Sequence, residues 1–134
     1  MKTAVIFWSG TGNTEAMANA VAEGAGVSAT QVSSFDGDVS EYDALALGCP
    51  AMGAEELEDG EFEPFFAGIE GKISGKKIAL FGSYDWGDGE WMRLWAERVK
   101  AAGAELVNGE GLICNNTPDD EALAKCKALG ASLG

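Results

Sequence analysis

Histidine is absent from this chain of 134 residues. Basic side chains are scarce, nine against 22 acidic ones, for a net charge of −13 at pH 7. Without histidine there is no Ser–His or Cys–His nucleophile pair, and the commonest metal ligand is missing. So few lysines and arginines cannot neutralise a run of phosphates, which argues against nucleic acid as a partner. The same deficit argues against anionic membrane surfaces. Cysteine is sparse and odd in number: Cys49, Cys114 and Cys126 form no CxxC pair and no metal-like spacing. This argues against a disulfide scaffold, and three buried or half-buried thiols in a reducing compartment are expected. No apolar run approaches the ~20 residues that span a bilayer. The run after Lys2 stops at Ser9–Gly10, too short for the apolar core of a secretion signal. The expectation is a cytoplasmic protein with one domain over residues 1–134.

What is present is an alternation of strand-like and helix-like segments. Apolar runs at Thr3–Trp8, Asp43–Cys49 and Lys76–Gly82 read as strands buried on both faces, with a weaker one near Ala29–Ser33. A fifth, Glu105–Cys114, is interrupted at Gly109 and Gly111. Between them lie helical patterns. One starts at Glu15, one carries Phe62, Phe65, Phe66 and Ile69 on a single stripe, and one carries Trp91, Leu94, Trp95 and Val99. The last helix is expected to begin with Thr117 as N-cap and Pro118 as its first residue, with Leu123, Cys126 and Leu129 facing inward. The fold class that follows is α/β: a doubly wound, five-stranded parallel sheet with helices on both faces. Ligands of such sheets bind beyond the carboxyl ends of the strands, which directs attention to residues 9–14, 50–60, 84–89 and 114–117.

The first of these loops reads Ser9, Gly10, Thr11, Gly12, Asn13, Thr14. Two glycines allow a tight curl, three hydroxyls and an amide add neutral donors, and the following helix contributes its positive end. This is a cradle for an anion of phosphate size, built without any positive side chain. It is not a Walker A loop, since no Lys follows. Nor is it GxGxxG, since Glu15 stands where the third glycine would be.

The string SGTGNT resembles the phosphate loop of flavodoxins. Pro50, Ala51, Met52 and Gly53 resemble the first flavin loop of the short-chain members, and Tyr84, Asp85, Trp86, Gly87, Asp88, Gly89 the second. The resemblance implies strand order 2-1-3-4-5 and non-covalently bound FMN. It implies Trp86 on one face of the flavin, Met52 on the other, and Glu55 accepting from flavin N3. Ser83 and Ala54 complete the implied FMN contacts. The Gly53–Ala54 peptide is implied to flip on reduction and stabilise the neutral semiquinone, so that the carrier cycles mainly between semiquinone and hydroquinone. Asn115 and Asn116 are candidates for edging the dimethylbenzene end.

Between Lys2 and Lys72 there are thirteen acids and no basic residue. That field repels added charge on a flavin and steers basic patches of redox partners. Glu56, Glu58, Asp59, Glu61 and Glu63 read as its solvated face. The expectation is a monomeric one-electron carrier, not an enzyme. A quinone-reductase-like FMN oxidoreductase, a flavin-containing activator of a redox enzyme and a flavin-free signalling module are the alternatives. The sequence departs from its relatives at Ala54, at Pro50 and at Asp85. If Asp85 occupies a glycine's positive-φ position, it weakens FMN binding, and its carboxylate lowers the second potential.

Overall fold

Alternation within each strand decides the layering. In the first strand, β1 (Thr3–Phe7), Val5 and Phe7 face one side while Ala4 and Ile6 face the other. In β3 (Ala44–Gly48) the split is Ala44 and Ala46 against Leu45 and Leu47. In β4 (Lys77–Tyr84) it is Ala79 and Phe81 against Ile78 and Leu80. A period of two with both faces apolar is a sheet covered on both sides. These are features of a computed structural model that describes residues 2–10, 12–52, 56–85, 87, 89–109 and 111–133.

Two helices cover each face. Met17, Ala18, Val21 and Ala22 of α1 (Asn13–Ala25) pack on the alanine-rich side, together with Cys126 of α4 (Asp120–Ala131). Phe62, Phe66 and Ile69 of α2 (Phe62–Ile69) pack on the leucine side, with Trp91, Met92, Trp95 and Val99 of α3 (Glu90–Ala101). β2 (Ala29–Gln31) completes one edge, so the order is β2-β1-β3-β4-β5, all parallel. Lys77 and Ile78 pair with β5 (Glu105–Leu106), and Phe81 to Tyr84 pair with β6 (Leu112–Asn115). The expected fifth strand is thus two short segments on the same edge of β4. Between them the Asn108 side chain stands in for a strand peptide: its Nδ2 donates to Leu80 O at 2.8 Å and its Oδ1 accepts from Leu80 N at 3.3 Å.

Two expectations are corrected. The N-cap of α4 is Asp119, whose Oδ1 accepts from Ala122 N at 2.8 Å, and not Thr117. A carboxylate reaching the third N–H of the helix satisfies an orphan donor and opposes the dipole, and Pro118 is buried ahead of the helix. The inner face of α4 is also narrower than its leucines suggest. Cys126 and Gly130 are buried, whereas Leu123 and Leu129 are only half so. A Cβ on Gly130 would run into the Val21 carbonyl of α1, and one on Gly24 into the Lys127 carbonyl of α4. The two helices cross backbone to backbone, each supplying the glycine that the other needs. No helix among the described residues is long and apolar enough to cross a membrane.

Candidate functional site

The carboxyl ends of β1, β3, β4 and β6 open into one cavity of about 240 Å³, lined by Trp8, Gly10, Asn13, Pro50, Ala51, Met52, Ser83, Tyr84, Asp85 and Asn116. All four loops singled out from the sequence meet there. A larger open groove of about 550 Å³ runs past Lys2, Phe35 and Tyr42. It lies at the opposite ends of the strands, away from the helix N-termini where such sheets hold their ligands.

The first loop enters α1 through Gly12, whose φ of 96° places it in the left-handed region and makes it the N-cap, with no side-chain cap. Ser9 Oγ accepts the Gly12 N–H at 3.0 Å and so closes the curl. An α1 N-terminus without a side-chain cap leaves first-turn donors for an anion. Gly10 has a different constraint: a Cβ there would press on the Trp8 ring at 3.0 Å. Thr14 is buried behind the loop and joined to Ser83 of β4, with the hydroxyl oxygens 2.9 Å apart and Ser83 N donating to Thr14 Oγ1 at 3.3 Å.

The second loop is anchored by what surrounds it. Trp91 Nε1 donates to Cys49 O at 3.1 Å, and Ala51 N donates to Ser83 O at 3.1 Å. Met52 and Glu56 exchange two backbone hydrogen bonds of 2.9 Å, an isolated antiparallel bridge that ties the two ends of residues 53–55 together. The Met52 side chain is 37 % exposed at the cavity wall.

Part of the acidic stretch behind this loop is less solvated than its composition suggests, which corrects the expectation for Glu58 and Glu63, while Glu61 is exposed as expected. Glu58 accepts from the N–H groups of Gly60, Glu61 and Phe62 at 2.7 to 2.9 Å and caps the start of α2. Burial alone would raise its pKa, but these backbone bonds outweigh that and lower it. Glu63 grips Arg98 through two bonds of 2.6 and 2.9 Å, and Arg98 also holds Glu70. Glu61 accepts from Trp8 Nε1 at 3.2 Å, which fixes the indole at the cavity wall. Glu56 and Asp59 are exposed.

On the third loop the Tyr84 ring leans on Trp91, 5.7 Å between centroids. The Tyr84 carbonyl accepts from Asn116 N at 2.7 Å and from Asn115 Nδ2 at 3.3 Å. Asp85 is exposed and lines the cavity, but it does not have a positive φ. Among the described residues only Asn116, at 58°, does so without being glycine. The strain expected at Asp85 is therefore absent; what remains is its charge. Gly87, at φ 88°, and Gly89, at φ 92°, are the glycines of this loop that need their freedom.

Of the site residues expected from sequence, Gly10, Asn13, Pro50, Ala51, Met52, Ser83, Tyr84 and Asp85 line the cavity. Ser9, Gly12 and Thr14 frame it from behind, and Gly87 stands outside the lining. Thr11, Gly53, Ala54, Glu55 and Trp86 lie outside the described residues. Trp8, which the sequence marks only as the end of the first apolar run, is a wall of the cavity; its place immediately after β1 is the available signal. Asn116 lines the cavity and Asn115 does not.

Comparison with known proteins gives this cavity a context. The sequence profile described as Flavodoxin matches residues 5–129. The flavodoxin of Megasphaera elsdenii is 47% identical over 132 residues, which is 94% of this chain and 93% of that protein. The flavodoxin of Clostridium beijerinckii is also 47% identical, over 96% of both chains. The solution structure of two-electron reduced Megasphaera elsdenii flavodoxin superposes with a TM-score of 0.86, at 43% identity, over 98% of this chain and 97% of that one. Matched in sequence and in topology along nearly its whole length, the chain belongs to the flavodoxin family.

Proposed function

We propose that this protein holds FMN in the crevice at the strand ends and passes single electrons between larger redox proteins. As a flavodoxin it is an electron-transfer protein that carries FMN, not an enzyme. The finer reading rests on one observation: four loops converge on a cavity lined by neutral donors and apolar walls, with Asp85 as its one charged lining residue among those described. The residues suit the group. An α1 N-terminus without a side-chain cap, and a buried hydroxyl pair beside it, offer hydrogen-bond donors to a phosphate. Trp8, Pro50, Ala51 and Met52 offer apolar walls to a ring.

When bound, FMN supplies a ring system that accepts electrons one at a time. The protein's part is to grip the phosphate with Ser9, Gly10, Thr11, Gly12, Asn13 and Thr14. Met52 and Trp86 would cover the two faces of the ring. Glu55 would accept from N3, a donor that costs about 1–3 kcal/mol if buried unpaired. The bridge between Met52 and Glu56 supports a local rotation of the Gly53–Ala54 peptide, because the chain on both sides is pinned and only the short connection has to move. That rotation would present a carbonyl to the reduced ring and widen the gap between the two potentials. The working cycle would then run between neutral semiquinone and hydroquinone. The exposed carboxylates of Glu56, Asp59 and Asp85 suit docking of a monomer against basic patches of a donor or acceptor.

An anaerobic reductive titration of the FMN-loaded protein, followed by visible absorbance, tests this reading. A blue neutral radical should accumulate midway, and less of it in Gly53→Pro, where the ring restricts the backbone. Direct bleaching without a radical would overturn one-electron shuttling in favour of hydride chemistry.

A further inference from the structure

The hydroxyls of Thr14 and Ser83 present a counting problem whose solution lies in the ligand. Thr14 is 1% exposed and Ser83 4%. Their oxygens are 2.9 Å apart, so one hydroxyl proton lies between them, and Thr14 Oγ1 also accepts the Ser83 backbone N–H at 3.3 Å. Two hydroxyls carry two protons, and the described residues take up only one. The other has no acceptor among the described residues, and a buried donor left unpaired is costly. The pair sits where an acceptor is expected. Thr14 is in the first turn of α1, which has no side-chain cap, and Ser83 lines the cavity that also receives Gly10 and Asn13 from the loop. No cation among the cavity-lining residues competes for the anion.

We propose that Thr14 and Ser83 act as one unit that delivers a single hydroxyl proton to the phosphate of FMN. Ser83, 69 residues away from Thr14 in sequence, is thereby part of the phosphate subsite. Whichever oxygen makes the donation, the second hydroxyl narrows the directions open to the first; where Thr14 donates, both lone pairs of its Oγ1 are taken by Ser83 and one direction is left for its proton. The inference rests on the FMN reading above and sharpens it. It predicts coupling, since removing either member frees the other to rotate or leaves it without its guide.

The test compares affinities for FMN and for riboflavin, which lacks the phosphate, in the whole protein and in Thr14→Val, Ser83→Ala and the double variant. Each single change should weaken FMN binding roughly 10- to 100-fold, the range of a hydrogen bond to a charged group. Riboflavin binding should change by less than about threefold, and the double variant should be no more than about threefold worse than the weaker single one. Thr14→Ser, which keeps the hydroxyl, should stay close to the unmodified protein. Losses that multiply in the double variant would overturn the shared proton and leave two independent contacts. Equal losses for riboflavin would reduce the pair to a support of the fold. Absence of FMN binding in the unmodified protein would overturn the functional reading itself.

Discussion

Cys49 and Cys126 are buried side chains that no cofactor chemistry requires, yet they set a limit on stability at high pH. Burial pushes the Cys49 thiol up to about 12; the nearby carboxylates of Glu58 and Glu63 add to this and the Glu58 N–H opposes it. Burial likewise pushes Cys126 up to about 12. A thiol raised above its ordinary value of 9.0 favours the folded state fully below that pH, and the advantage is lost as pH rises through about 12, because only the unfolded chain can ionise. Each thiol should therefore remove about 1.4 kcal/mol of stability per pH unit above its unfolded pKa. Urea midpoints measured between about pH 9 and 11 should fall, and Cys126→Ala should flatten the slope. An unchanged slope in that variant would sink the assignment. Residue by residue, legibility followed the kind of information needed. Burial of Cys49 and Cys126, and half-burial of Cys114, follow from composition and context, and Trp91 and Trp95 follow from helical spacing. The backbone conformation at Asp85 does not, because a dihedral angle is decided by where the chain leaves β4. Glu58 was unreadable for a similar reason: capping α2 depends on a turn at Asp59–Gly60 that brings three N–H groups round to one carboxylate.

At the level of elements, the order and spacing of strands and helices were plain in the sequence because the sheet is apolar on both faces and each helix has a stripe. The stripe fails for α4. Its leucines mark a face, but the deepest contact is made by Gly130, which sequence rules treat as a weakness inside a helix. Here the missing side chain is the contact, since α1 and α4 meet through Gly24 and Gly130. Gly130→Ala should cost about 2–3 kcal/mol, because the added methyl meets a main-chain carbonyl and the helices must separate. Thermal denaturation would read it. A cost below about 0.5 kcal/mol, the scale of an exposed helix substitution, would show that the helices can slide apart freely. The divided fifth strand was half legible: Gly109 and Gly111 announced a break, but nothing in the sequence said that Asn108 would bridge it.

Over the whole molecule, charge is arranged with direction. The half of the chain from residue 3 to 71 has no basic residue, and it supplies the loops at β1 and β3. Of the nine basic side chains, Lys76 and Lys77 stand at the start of β4, the far end of the sheet from the cavity, whereas Arg93 lies in the first turn of α3 beside Gly89. Arg98 offsets one of the two charges on Glu63 and Glu70, whereas Glu58 keeps its charge while it caps α2, so most of the acidic field survives these contacts. Electron transfer to a basic partner should still slow with salt, on the order of tenfold between ~0.01 and ~0.15 M, as the Debye length shortens. Stopped-flow rates at two ionic strengths would check it, and an insensitive rate would remove steering from the account.

The amide of Asn108 that bridges the gap between β5 and β6 also governs how the sheet meets other molecules. It divides one margin into runs of two and four residues, and the opposite margin, β2, has three. Neither side offers a long, straight row of peptide groups on which a second chain could build. Short and interrupted margins are how a sheet avoids growing into fibres when crowded. Resistance to edge-to-edge growth would thus come from a three-residue margin on one side and from one side chain set across a break in the other.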